Sequence, residues 1–130
     1  MKRWLITAAL LALILGVAVF EFFVLKNTFT RIEAEASVIK IEITANESHI
    51  DNESIIKKIE DLEHFWLKRK PLASVMVNQI LLMEYTAIIG RLKTNININE
   101  YPMAQVEVDN LIRQTGELRE LHKPYLKNIF

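Results

Sequence analysis

The residues in this chain that are best suited to chemistry are three histidines and a few serines. His64 follows Glu60 by one helical turn and lies three residues after Asp61, so an imidazole and a carboxylate would share one face of a helix. A metal site needs three or four converging ligands, whereas His49 and His122 lie on distant segments. The spacing therefore predicts histidines that are solvated or hydrogen-bonded within the protein, and no bound metal.

Nucleophilic catalysis has no better support. Ser54 and Ser74 lack the glycine-rich turn that exposes a catalytic serine, and a chain with only three glycines has no phosphate-binding loop. Met76 and Met83 have the character of core-filling side chains rather than of ligands for a soft metal. We therefore predict no catalytic residue, no cofactor and no metal ligand, and we do not expect an enzyme.

A membrane-spanning helix is the clearest element that the sequence predicts. The run from Trp4 to Phe20 is free of charge and covers about 25 Å as a helix, and extension through Leu25 passes the roughly 30 Å thickness of the hydrocarbon layer. We assign residues 1–25 to a transmembrane anchor. Its span includes Trp4, Leu5, Leu10, Leu15 and Phe20. Membrane lipid is therefore the first predicted partner.

The charges that flank this run predict its orientation. Lys2 and Arg3 lie on the short N-terminal side and place that end in the cytoplasm, so the remainder would be exported across the cell membrane. Lys26 and Arg31 follow the run and reduce the asymmetry. A cleaved signal peptide is the alternative, but the apolar run is longer than is usual for one and no small-x-small cleavage site follows closely.

Composition limits what the exported part can be. Residues 26–130 suffice for one small helical domain, and 16 basic residues balance 16 acidic ones, so nothing attracts nucleic acid. Lys68, Arg69 and Lys70 form the only dense basic cluster. Beside Pro71 they are predicted to be a solvated helix end, with lipid headgroup binding as the alternative. The chain has no cysteine, so packing must supply its stability.

An apolar stripe with helical spacing continues beyond the span. Its members recur every three or four residues: Phe22, Leu25, Phe29, Ile32, Ala36, Ile39 and Ile43. Residues 38–44 also alternate as a strand does, but the longer pattern favours a helix. We expect Phe29, Ile32, Ile39 and Ile43 to form an interaction stripe, which either the domain's remaining helices cover or another chain pairs with.

Three further helices are predicted downstream. Asp51 or Asn52 is expected to cap the second helix, which should stop or bend just before Pro71. Pro71 would then open a third helix, which is apolar around much of its circumference and is predicted to be the central element of the bundle. Residues 95–99 should form a loop, with Asn99 capping the last helix. The predicted fold is all-α: one N-terminal transmembrane helix that continues into a small antiparallel bundle of about four helices.

The order of these parts resembles that of a known bacterial family. The residues that carry the resemblance are the span from Trp4 to Phe20, Trp66 in the second helix, Arg91-Leu92 near the end of the third, and Asn128-Ile129-Phe130. On these residues the chain resembles the family catalogued as domain of unknown function four-three-six-three, short anchored proteins found mainly in Gram-positive spore formers. The resemblance implies an anchored, all-helical domain that assists another membrane or envelope protein. It carries over no functional residue.

The leading functional hypothesis is a non-enzymatic, single-pass membrane protein whose exported domain binds a protein partner or itself in the cell envelope. One alternative is a division-type coiled-coil scaffold, and another is an extracytoplasmic sensor that binds a small ligand in the bundle core. A sensor needs polar side chains that converge inward, and Asn78, Glu84 and Tyr85 are the only cluster that the sequence offers. No small-molecule ligand and no nucleic-acid partner is otherwise evident.

Overall fold

Four helices make up the computed structural model of the chain, which describes the backbone of residues 2–129 and the side chains of residues 2–120. Helix α1 is Lys2–Ala45, α2 is Glu53–Met76, α3 is Gln79–Asn97 and α4 is Tyr101–Ile129. No strand occurs in the described residues, and residues 38–44 are helical. The predicted fold class, an apolar N-terminal helix that continues into a helical bundle, is confirmed.

The helices are arranged so that each packs against two neighbours. Helix α1 lies between α2 and α4, and α3 lies between the same two helices on the other side of the core. The connections are short, residues 46–52, 77–78 and 98–100, and each one reverses the chain direction. The result is an antiparallel bundle in which α1 and α3 are diagonal to each other.

Ion pairs connect every neighbouring pair of helices. Glu42 on α1 pairs with Lys58 on α2, and the other pairs are Glu63–Lys93 at 3.0 Å, Arg91–Glu107 at 3.2 Å and Lys40–Asp109 at 2.7 Å. Because most of these side chains are partly exposed, each pair contributes little free energy. Their main effect is to favour one register of the helices over its neighbours.

The first part of α1 lies outside this bundle. Its large apolar side chains from Trp4 to Phe20 are between 48 % and 67 % exposed, and the first buried residue of the helix is Leu25. Within the described part of the chain, α1 is the one helix long and apolar enough to cross a membrane. The whole helix is about 66 Å long, so a single uninterrupted rod forms both the apolar segment and one wall of the bundle.

The core takes one apolar face from each helix. Among its members are Phe29, Ile32, Ile39 and Ile43 of α1, Ile55, Ile59, Leu62 and Trp66 of α2, Tyr85, Ile88, Ile89 and Leu92 of α3, and Val108, Leu111 and Leu118 of α4. Burial of each of the larger side chains contributes roughly 1.5–3 kcal/mol. Packing between helices therefore supplies the stability that disulfides cannot.

Pro71 does not end the second helix, which corrects the prediction. Helix α2 continues through it to Met76, because Ala73 beyond the proline is buried in the core and its packing holds the last turn in helical form. The break comes at Asn78 instead. The side chain of Asn78 accepts a hydrogen bond from the amide of Ile80 at 2.8 Å and so caps α3.

Helix α3 is not the central element, which corrects a second prediction. It buries one face, while Ile80 and Met83 on the other face are exposed. In a ring of four helices each member has two neighbours, so a second apolar face stays uncovered. The predicted loop at 95–99 is also shorter than expected, because burial of Ile96 keeps α3 helical as far as Asn97.

Asn99 links the two connections at the end of the bundle where α1 finishes. Its φ of 58° lies in the left-handed region, which asparagine tolerates better than most residues. Its side-chain oxygen accepts a hydrogen bond from the amide of Ile50 at 3.0 Å, and its side-chain nitrogen donates to the carbonyl of Ser48 at 2.9 Å. Asn99 thus ties the α1–α2 connection to the α3–α4 connection instead of capping the last helix. The predicted cap of α2 is confirmed as Asn52, which accepts from the amide of Ile55.

Two replacements of Asn99 separate the contribution of its side-chain hydrogen bonds from that of its left-handed backbone conformation. Asn99→Ala removes both hydrogen bonds and leaves an unassisted side chain at positive φ, so we expect the free energy of unfolding to fall by about 2–3 kcal/mol. Asn99→Gly loses only the hydrogen bonds, so its free energy of unfolding should fall by about 1 kcal/mol less than that of Asn99→Ala. Urea unfolding of the full chain in a mild detergent measures both. Equal losses for the two variants would show that the backbone conformation contributes nothing.

Candidate functional site

The predicted interaction stripe lies in the core. Phe29, Ile32, Ile39 and Ile43 are each 0 % exposed, and the helix that carries them packs against α2 and α4. Of the two alternatives for this stripe, cover by the domain's own helices is the one that the structure shows. The stripe is therefore not a free surface on the folded domain, and any partner must bind elsewhere.

Three aromatic rings meet at the level of Phe29. The ring centroids of Phe29 and Trp66 are 6.2 Å apart, those of Phe29 and Tyr85 are 5.9 Å apart, and those of Trp66 and Tyr85 are 4.8 Å apart. Both contacts of Tyr85 are edge-to-face, a favourable geometry for aromatic pairs. One ring each from α1, α2 and α3 therefore fills the middle of the bundle.

The polar atoms of this cluster are all used within the core. The indole nitrogen of Trp66 donates to the Thr86 hydroxyl at 2.9 Å, and the Tyr85 hydroxyl lies 2.8 Å from that of Thr115. Thr115 donates to the carbonyl of Leu111, so its single proton is used and Tyr85 must donate to Thr115. No polar group here is left to hold a ligand.

The cluster predicted for a sensor does not form. Tyr85 is buried in the core, but Glu84 beside it is exposed, and Asn78 is exposed where it caps α3. The three side chains therefore point to different surroundings. The described residues offer no convergent polar set within the bundle core for a small molecule.

His64 lies at an open cleft between α1 and α2. Other residues that line this cleft are Arg31, Glu35, Asp61, Phe65, Lys68 and Arg69. Among the residues that the structure describes, no group of three or more His, Cys, Asp or Glu side chains is placed to hold a metal ion. Cations at the cleft would also oppose a bound metal. His122 lies outside the described side chains.

One exposed surface, formed by Ala34, Val38 and Ile41 on the outward face of α1, was not predicted from the sequence. Val38 and Ile41 are 46 % and 68 % exposed, and Ala34 is also exposed. These residues are separated by four and three positions and so share one face of the helix. Glu35, Lys58 and Asp61 line the shallow depression beside Ala34 and Val38. The signal was present in the sequence, because all three apolar residues lie off the spacing of the buried stripe.

Comparison with known proteins gives no match: no family model, no curated protein and no solved structure is similar to this chain. The resemblance to the domain family of unknown function therefore stays a prediction.

Two isoleucines on α1 test the division between core and surface. Ile39→Ala should lower the free energy of unfolding by about 3 kcal/mol, because it leaves a cavity in the core. Ile41→Ala, two positions away and exposed, should change it by less than about 0.5 kcal/mol in the monomer. Urea unfolding in detergent, at a concentration where the chain is monomeric, measures both. Similar losses for the two variants would contradict the observed orientation of α1.

The alkaline limit of stability should depend on Tyr85. Burial raises the pKa of Tyr85 well above its ordinary value, and the charge of Glu33 adds to the effect. Because the raised pKa belongs to the folded state, the contribution of the neutral phenol is full below about pH 10 and is lost as the pH rises further. Tyr85→Phe should therefore be about 1 kcal/mol less stable at pH 8, and this difference should shrink above about pH 10. Unfolding curves across this pH range measure it, and a difference independent of pH would contradict the assignment.

Proposed function

We propose that this protein is a non-enzymatic, single-pass membrane protein, with its N-terminus in the cytoplasm and a helical domain on the outer face of the cell membrane that binds a protein partner or a second copy of itself. The supporting observation is that α1 is continuous. One helix carries an exposed apolar segment at its start and an exposed apolar face, Ala34, Val38 and Ile41, along the bundle. The proposal therefore joins an anchor and a binding surface on a single rigid element.

The anchor is supported by what the bundle leaves uncovered. Large apolar side chains of α1 from Trp4 to Phe20 have no protein neighbours to cover them, and water is an unfavourable environment for so long an apolar run. A lipid bilayer covers such a helix over its whole circumference. The basic pair Lys2 and Arg3 supports an N-terminus in the cytoplasm.

A second copy of the chain is the partner that the geometry favours. Two copies anchored in one membrane hold their α1 helices parallel, so little further rotational freedom is lost when the helices meet. Gly16 lies eighteen residues before Ala34, which is five full helical turns, so both lie on the same face of α1. Ala12 lies one turn before Gly16. Small residues spaced four apart allow close approach of helices in membranes, and here they continue the outward face into the span.

The alternatives have less support. A coiled-coil scaffold would need a free seam on α1, and the regular stripe of that helix is occupied within the bundle. A ligand sensor would need polar groups that point into the core, and those around Tyr85 are paired with one another. An enzyme would need a reactive constellation, for which the described side chains supply no candidate.

Cross-linking in native membranes tests the binding surface. The chain has no cysteine, so Ile41→Cys carries a single thiol on the proposed contact face. We expect a bifunctional thiol reagent to convert this variant largely to dimers. Lys57→Cys, exposed on α2, is the matched control and should stay monomeric. Dimers from both variants, or from neither, would contradict a specific contact between copies. Linkage of Ile41→Cys to a different protein would instead support a separate partner.

The span supplies a second variant for the same assay. Gly16→Leu should reduce the cross-linking of the Ile41→Cys variant several-fold, because a large side chain holds the two helices apart. Gly16 lies outside the bundle and has open space around it, so the fold should be unaffected. Undiminished cross-linking would show that the spans do not meet.

A further inference from the structure

The connection between α2 and α3 carries a further group of strongly exposed apolar side chains. We call residues 75–83 the α2–α3 tip. Val75, Ile80 and Met83 within it are 71 %, 72 % and 63 % exposed, and Met76 and Val77 are only partly buried. Polar residues cover most reversals of a soluble bundle, because apolar side chains at a loop gain nothing from contact with water. An apolar tip therefore indicates a contact that the isolated domain does not make.

The register of the bundle shows where the tip lies relative to α1. Helix α2 runs antiparallel to α1, with Trp66 against Phe29 and Lys58 against Glu42. Counted onward from these two contacts at equal rise per residue, Val77 falls level with residues 18–23 of α1. This is where the charge-free apolar run of α1 ends, at Phe20 and Glu21. Val77 is therefore at the height at which α1 would leave the hydrocarbon layer, and Val75 and Ile80 lie within about one helical turn of it.

A basic cluster lies just above the tip. Lys68, Arg69 and Lys70 precede it on α2 by about two helical turns, which is roughly 10 Å. Lys68 and Arg69 are exposed, and none of the three forms an ion pair within the side chains that the structure describes. The guanidinium of Arg69 lies 5.4 Å from the ring of Phe65, which holds it at the cleft between α1 and α2. The cluster is free to bind anions at the level of lipid phosphates.

We propose that the α2–α3 tip inserts into the outer interface of the bilayer that α1 crosses, with Lys68, Arg69 and Lys70 bound to the phosphates of anionic headgroups. The inference rests on the proposed function, since it requires α1 to span the membrane. The apolar side chains enter the acyl boundary and the basic side chains extend to the headgroups, which is the usual division of an interfacial segment. A protein partner is less favoured, because at this height it would have to displace the lipid that already surrounds α1.

A second contact with the bilayer would hold the whole domain in one orientation. The span alone allows the bundle to rotate about α1, and the tip would stop this rotation. Residues 68–70 lie within α2 and not at a helix end as predicted. In this proposal they form the headgroup site that the sequence offered as the alternative.

Fluorescence quenching in vesicles of the full chain tests the insertion. Single-cysteine variants carry an environment-sensitive label at Ile80 in the tip, at Leu10 in the span, or at Ile98 at the opposite end of the bundle, which is 60 % exposed and serves as the matched control. Lipids brominated near the headgroup should quench the label at Ile80, lipids brominated near the end of the acyl chain should quench the label at Leu10, and aqueous iodide should quench the label at Ile98. Far-UV circular dichroism of each labelled variant checks that the bundle is folded.

The outcomes separate the two proposals. If lipid quenches the label at Leu10 while iodide quenches Ile80 as strongly as Ile98, the span stands and the tip insertion is overturned. If lipid does not quench Leu10, the anchor itself is wrong. A label at Ile80 that neither quencher reaches would show that protein covers the tip, which also overturns the inference.

A second quenching experiment tests the contact with the headgroups. Lipid quenching at Ile80 should increase at least twofold when one third of the phosphatidylcholine is replaced by phosphatidylglycerol. The triple variant Lys68→Gln, Arg69→Gln, Lys70→Gln should lose this increase. Lys57→Gln, which removes an exposed charge farther from the tip, should keep it. An unchanged response of the triple variant would show that these residues do not bind the headgroups.

Discussion

Burial of one face of α1 against α2 and α4 is the interaction on which the rest of the structure depends. The same helix is exposed and apolar at its start and is uninterrupted from Lys2 to Ala45, so no flexible linker separates the apolar segment from the bundle. A helix satisfies its own backbone hydrogen bonds, and it can therefore pass from lipid to protein surroundings without a break. Because the other helices pack in a bundle with α1, their positions along and around the bundle axis are fixed relative to the apolar segment. Positions on the bundle can consequently be assigned to levels above a membrane by counting residues.

The centre of the bundle shows how that packing becomes specific. Apolar stripes alone are compatible with several registers, because isoleucines one turn apart are nearly equivalent partners. The Phe29, Trp66 and Tyr85 rings meet at one level, and the hydrogen bonds of the last two to Thr86 and Thr115 are satisfied only in this register. A shift of one turn would leave buried polar atoms unpaired, at a cost of about 1–3 kcal/mol each. The polar contacts in the core thus select the arrangement that apolar burial stabilises.

Sequence periodicity predicts this fold well where one helix face decides the outcome. The spacing from Phe29 to Ile43 predicts a buried helix stripe, and Asn52 is a recognisable cap, because both depend only on neighbours along the chain. The predictions for Pro71 and Asn99 were wrong because they depend on contacts with residues that only the folded structure brings close. Pro71 is tolerated because Ala73 is held by the core, and Asn99 finds its partners in a connection about fifty residues away. The outward face of α1 is different, because Ala34, Val38 and Ile41 share a helical spacing of their own and could have been recognised along the chain.

The two apolar faces of α3 show why a pattern alone could not separate a face that the bundle buries from one that it leaves exposed. A helix apolar on more than one side predicts a central position in a soluble domain, yet here Ile80 and Met83 are uncovered. Their exposure is consistent with the tip proposal, because both lie at the end of α3 nearest the apolar segment.

Insertion of the tip into the bilayer also bears on self-association. The outward face of α1 points away from the core, whereas the tip belongs to the helices on the core side. A bundle held against the bilayer by its tip would leave that face of α1 free in the plane of the membrane. Two copies could then meet about a twofold axis normal to the bilayer, with both tips still inserted.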